Sequence, residues 1–151
     1  MRCKSLTSDF LHCIMKTFNL HFDGSWSDSI REELPKYSGV YLVYRGNLDC
    51  GSFLCRMIIY IGQAENICSR HSKHEKRDQF LAELRPSEVL FYSCAPVAKV
   101  DLDRVENALV FKMHPKLNDK LTETFPYETT TVVSDGQCSL LNKQFTIERK
   151  N

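Results

Sequence analysis

Glu106 sits where a carboxylate is unexpected. Leu102, Glu106, Leu109 and Met113 follow the spacing of one helix face, and an acid on an apolar stripe is costly to bury unless it is paired or binds a metal. At the edge of the stripe the same side chain could reach solvent. Arg70 and His74 stand four residues apart, one helical turn above the other. Arginine grips phosphate through two parallel donors, although a solvated helix arginine has the same signature. Tyr41 and Tyr60 lie in apolar runs, where a tyrosine ordinarily packs its ring and finds one partner for its hydroxyl. Each residue alone has an ordinary structural reading. Together they supply a carboxylate suited to a metal and an arginine suited to phosphate.

The elements that must position these residues are legible. Val40-Tyr41-Leu42-Val43-Tyr44 and Met57-Ile58-Ile59-Tyr60-Ile61 read as strands with two apolar faces. The stretch Arg45 to Arg56 between them, with two glycines and an Asn, predicts a hairpin with a long loop. Gly62 ends the second strand. Helical sequence runs from about Glu65 to Leu84, broken near Lys76 to Asp78, and Val89 to Tyr92 forms a third strand after Pro86. Asp101 or Asp103 caps a helix reaching Met113, stopped by Pro115.

Outside this span, Asp9 to Phe18 suits a helix, with Phe10, Ile14 and Phe18 on one face. Ser27 or Asp28 caps a short helical stretch that Pro35 ends. Thr129 to Val133 and Phe145 to Glu148 suit a terminal hairpin around Ser134-Asp135-Gly136. The order predicts one α+β domain over 1–151: a small sandwich with a central three-stranded sheet flanked by helices. Residues 1–36 form a helical extension, 37–120 the core and 121–151 a C-terminal extension.

The 151 residues are 42% hydrophobic and 26% charged, enough for one domain with a real core. No apolar run reaches membrane-spanning length, and the N-terminus lacks the apolar core of a signal peptide. An intracellular, cytoplasmic protein without membrane association is expected. Seven cysteines, an odd number, exclude a complete disulfide framework. Net charge is +1, so distribution matters more than the sum. Arg70, Lys73, Lys76, Arg77 and Arg85 cluster with His71 and His74, partly offset by Glu75, Asp78 and Glu83. Such a stretch is either a solvated helix face or a phosphate-binding one.

Ser38-Gly39-Val40-Tyr41 followed by Tyr60-Ile61-Gly62-Gln63-Ala64-Glu65-Asn66-Ile67-Cys68-Ser69-Arg70 resembles the signature of the GIY-YIG nucleases. Val105-Glu106-Asn107-Ala108-Leu109-Val110 looks like their acidic helix, and Lys116-Leu117-Asn118 like their closing asparagine segment. The resemblance covers roughly residues 37 to 120, in order. It implies a GIY-YIG-type sandwich and a metal-dependent endonuclease acting on DNA. Tyr41 would lie beside the attacking water, as general base or part of its relay, and Tyr60 would line the same site. Arg70 would hold the scissile phosphate, and Glu106 would ligate one Mg²⁺ or Mn²⁺ per active site. Asn118 would support the site from the loop after the helix. His74 falls where some members carry a basic residue. Arg70, Lys73, Lys76 and Arg77 would contact the DNA backbone. Arg70 and the cation should favour the Tyr41 phenolate over its reference pKa of about 10.

Two features depart from that pattern. Eighteen residues separate Tyr41 from Tyr60, longer than the family's tight hairpin. With Cys68 and His71, Cys50 and Cys55 in this loop spell a zinc-like spacing, but the intervening strand leaves little freedom to close a tetrahedral site. No separate DNA-binding motif is visible, so specificity would come from the loop, the extensions, a weak homodimer or a partner. A non-catalytic nucleic-acid-binding module of the same fold is the alternative reading. A zinc-stapled interaction domain is the third.

Overall fold

A computed structural model describes residues 14–149. Its centre is a six-stranded mixed sheet curled into a half-barrel. The strands are β1 (Lys16–Ser27), β2 (Gly39–Asp49), β3 (Ser52–Ala64), β4 (Val89–Pro96), β5 (Thr130–Gly136) and β6 (Gln144–Ile147). Their spatial order is β3-β2-β4-β1-β5-β6. All neighbours run antiparallel except β1 and β5, which are parallel. Three α-helices lie among the described residues: α1 (Ile67–Ser72), α2 (Arg77–Ala82) and α3 (Leu102–Met113).

This corrects the expected three-stranded sheet flanked by helices. Strands from both extensions lengthen the sheet, and strand outweighs helix. The first half of the helix expected over Asp9 to Phe18 lies outside the described residues, and its last three residues are the start of β1. Alternation explains why. Phe18, Leu20 and Phe22 are buried while Asn19 and His21 are exposed, a period of two that outlasts the four-residue spacing ending at Phe18. The short helical stretch after Ser27 is a 3-10 helix, Asp28–Glu33.

Both faces of β2 are apolar because both are covered. Val40, Leu42 and Tyr44 point to a core shared with α3, β1 and β5, including Phe22, Phe91, Val105, Leu109 and Val132. Tyr41 and Val43 point to a second core with Ile67 of α1, Phe80 of α2, and Tyr92. β3 is an edge strand, and residues after α3 cover its inner half: Leu117 N–H donates to the Ile59 carbonyl (3.0 Å).

The expected long loop is instead a continuation of the hairpin. β2 and β3 stay paired to Asp49 and Ser52, closed by Cys50 and Gly51. These two residues have φ of 49° and 81°, the left-handed pair that a two-residue hairpin requires. Register shifts between Val43 and Tyr44 and between Arg45 and Gly46 give the long ribbon its extra twist. The C-terminal strands do pair antiparallel, but across residues 137–143 rather than through a tight turn at Ser134 to Gly136. No helix among the described residues is long and apolar enough to cross a membrane.

Candidate active site

Tyr41 on β2 pairs with Gly62 on β3, and Val43 with Tyr60. The two tyrosines are therefore diagonal neighbours on one face of the sheet, with ring centroids 6.3 Å apart. Gly62 is needed for this arrangement: a Cβ there would stand 2.4 Å from the Tyr41 hydroxyl oxygen. Next in the chain, the Asn66 side chain accepts the Ser69 N–H (3.0 Å) and caps α1, which carries Arg70 and His71.

His74 is not on that helix. α1 ends at Ser72, and His74 lies in the connection to α2, so the four-residue spacing to Arg70 does not place them on one helical face. Tertiary packing brings His74 to the site. Its Nε2 lies 2.8 Å from the Tyr41 hydroxyl, and its Nδ1 accepts the Lys76 backbone N–H (3.1 Å). With Nδ1 an acceptor, the neutral ring carries its proton on Nε2, and Tyr41 oxygen accepts. Burial and the neighbouring Arg70 charge push His74 down to about 4, so this neutral tautomer holds at pH 7.

Arg70 is two-thirds covered and engaged by Glu75, with Nη1 and Nη2 donating to separate carboxylate oxygens at 2.6 and 2.8 Å. The pair holds Glu75 down to about 2. Glu106 of α3 is half-buried, and burial followed by the Asp103 charge pushes it up to about 7, against the pull of Arg70 and the Gln63 amide. The charges of Arg70 and Glu106 act on both Tyr41 and Tyr60. The four residues thus share one electrostatic site.

Both tyrosines are shifted upward. Burial drives Tyr41 well above 10 and Tyr60 up to about 12, with Glu106 adding to both and Arg70 only partly offsetting them. Desolvation outweighs the favourable guanidinium. Access also separates them: Tyr41 is fully buried, whereas Tyr60 is partly exposed beneath the Lys76 ammonium, 5.4 Å from its ring centroid. The Tyr41 hydroxyl faces His74 rather than solvent.

Asn118 brackets the edge of β3. Its Oδ1 accepts the Ile61 N–H (2.9 Å) and its Nδ2 donates to the Ile61 carbonyl (2.8 Å), fixing the backbone next to Tyr60. The expected basic face is split. Arg77 turns inward to Asp28 (2.6 Å), which also accepts the Tyr92 hydroxyl (2.6 Å). Lys76 donates to the Leu117 carbonyl (3.0 Å), and Lys73 is exposed.

Two residues in the site had no catalytic role assigned from the sequence. His71 is 2% exposed, edge-on to Tyr41 with centroids 4.4 Å apart, and its Nε2 has no hydrogen-bond partner among the described residues. In the sequence it figured only in the basic stretch and in the zinc-like spacing. Glu75 follows Arg70 by five residues, a separation that pairs nothing on a helix. Among the described residues no three His, Cys, Asp or Glu side chains gather to hold a metal, and Cys50, Cys55, Cys68, Cys94 and Cys138 are free thiols. Comparison with protein-family models, curated proteins and solved structures finds no match.

Proposed function

We propose that this chain is a metal-dependent endonuclease of the GIY-YIG type that hydrolyses phosphodiester bonds of DNA. The observation that carries the reading is the convergence of Tyr41, Tyr60, Arg70 and Glu106, from two strands and two helices, on one electrostatic site. In this mechanism the Arg70 fork holds two phosphate oxygens and offsets charge in the transition state. Tyr60, the more accessible phenol, positions the attacking water. Tyr41 acts behind it, oriented by the His74 Nε2 proton. Base strength at Tyr60 depends on how the Glu106 charge is compensated, since Arg70 favours the phenolate and Glu106 opposes it.

Glu106 fits a divalent-cation ligand because it is a half-buried carboxylate short of positive charge. A single protein carboxylate suits Mg²⁺, which keeps most of its waters. A cation held there supplies Lewis-acid stabilisation to the phosphate. The burial of Tyr41 and the engagement of Arg70 by Glu75 favour a second reading, a non-catalytic module that binds nucleic acid.

Incubating the protein with supercoiled plasmid, with and without Mg²⁺, beside Glu106→Ala and Tyr60→Phe variants tests this. Metal-dependent nicking that disappears in Glu106→Ala and falls about 10²-fold or more in Tyr60→Phe is expected. Binding to several DNA forms without cutting would favour the module. Equal cutting by the Glu106→Ala variant would remove Glu106 from the site.

A further inference from the structure

Glu75 occupies both prongs of the guanidinium to which the mechanism assigns the scissile phosphate. Its carboxylate presents two oxygens to Nη1 and Nη2 at 2.6 and 2.8 Å, the same planar match that two non-bridging phosphate oxygens would make. The acid is the freer of the two partners: the Glu75 side chain is 66% exposed and that of Arg70 29%. Glu75 belongs to the connection between α1 and α2, not to either helix, so its side chain can swing to water without moving a helix. Arg70 starts from α1, which is anchored by the Asn66 cap and the fully buried Ile67. A half-buried guanidinium left alone beside phenols would be poorly solvated.

We propose that Glu75 is an internal counter-ion for the phosphate fork, one that holds Arg70 in its binding geometry in the free protein and must be displaced when a phosphodiester enters. The inference rests on the reading of Arg70 as the phosphate holder. The second cation of the site shows the same arrangement more weakly: Lys76 faces Asp119 at 3.4 Å, with the Asp119 side chain 76% exposed. A tethered carboxylate has a high local concentration at the fork, so isolated small anions compete poorly. A nucleic-acid backbone competes better because adjacent phosphates add contacts of their own. Glu75 thereby selects for a polymeric phosphate over a free one.

The test is fluorescence anisotropy with a labelled short DNA duplex in EDTA, where no cleavage intervenes, together with competition by inorganic phosphate. Wild type, Glu75→Gln, Arg70→Ala, Arg70→Lys and the double variant Arg70→Ala/Glu75→Gln are compared. Asp78→Asn, an exposed acid nearby, controls for bulk charge. Glu75→Gln should bind DNA about two- to fivefold more tightly, the worth of an exposed ion pair. It should also become sensitive to inorganic phosphate, and Asp78→Asn should change little. The gain should vanish in the Arg70→Ala background and shrink with Arg70→Lys, which keeps the charge and loses the fork. Loss of binding on removing Arg70, with no gain in Glu75→Gln beyond Asp78→Asn, would overturn the counter-ion and leave the phosphate role standing. Weaker binding by Glu75→Gln would do the same, making Glu75 a permanent brace. Unchanged binding by both Arg70 variants would remove the phosphate role and the counter-ion with it.

Discussion

The imidazole of His74 donates through Nε2 to the hydroxyl of Tyr41, 2.8 Å away, because the Lys76 backbone N–H already occupies Nδ1. The bond joins a residue of the central strand β2 to the short connection between two helices, 33 positions later. It fixes which of the phenol's roles remain. The Tyr41 oxygen accepts from His74, its ring fills the space opposite Gly62, and its hydroxyl is sealed from solvent.

A double-mutant cycle of Tyr41→Phe and His74→Ala should therefore return a coupling of about 1 kcal/mol, the usual net worth of a buried hydrogen bond. Urea unfolding of the four proteins measures it. Strictly additive losses would mean that the two groups do not interact in solution.

Acid should destabilise the protein through its two buried histidines. Glu106, pushed up to about 7, works in the opposite sense because the folded state takes up its proton first. Burial lowers His71 to about 3 and His74 to about 4, while the unfolded chain protonates them near 6.5. Their contribution is thus fully present above pH 6.5. It is lost as pH falls toward 4, where only the unfolded state takes up the protons. Each histidine costs about 1.4 kcal/mol per pH unit in that window. Thermal melts from pH 7.5 to 4.5 should show the slope, and a His71→Phe variant should show a shallower one. Parallel profiles would sink the assignment.

Gly62→Ala should cost about 1–3 kcal/mol through overpacking. The added carbon would meet the Tyr41 hydroxyl oxygen at 2.4 Å and the ring carbon bearing it at 2.5 Å. Because the ring carbon is as close as the oxygen, adding Tyr41→Phe should not restore the midpoint of chemical denaturation. Full rescue by that change would place the conflict at the hydroxyl alone.

Arg45 and Glu88 form an ion pair at 2.8 Å with side chains 6% and 4% exposed. Glu88 also accepts the Arg85 backbone N–H (2.8 Å). Glu88→Ala leaves a buried guanidinium unpaired and should cost about 3–5 kcal/mol, whereas replacing both partners with apolar residues should cost much less. Denaturant midpoints of the single and double variants decide between these. A small loss in Glu88→Ala would show that water reaches Arg45.

The sequence alone determined the local order from Gly39 to Met113. Continuous β-branched and aromatic runs made Tyr41 and Tyr60 strand residues, helical sequence began at about Glu65 after Gly62, and the stripe Leu102, Glu106, Leu109 and Met113 marked α3. These signals are short-range, carried by backbone preference and side-chain period within a few residues. What followed from long-range pairing stayed hidden. Nothing local says that Lys16 to Phe22 runs parallel to Thr130 to Gly136, or that these strands extend one sheet to six. That choice depends on two distant segments burying apolar alternation against each other. The same holds in the site. The types Tyr, Arg and Glu were readable, but desolvation and partners are properties of the assembled fold. Only the fold could bury Tyr41 completely, bring His74 to it from outside the helix, and lay Glu75 across Arg70.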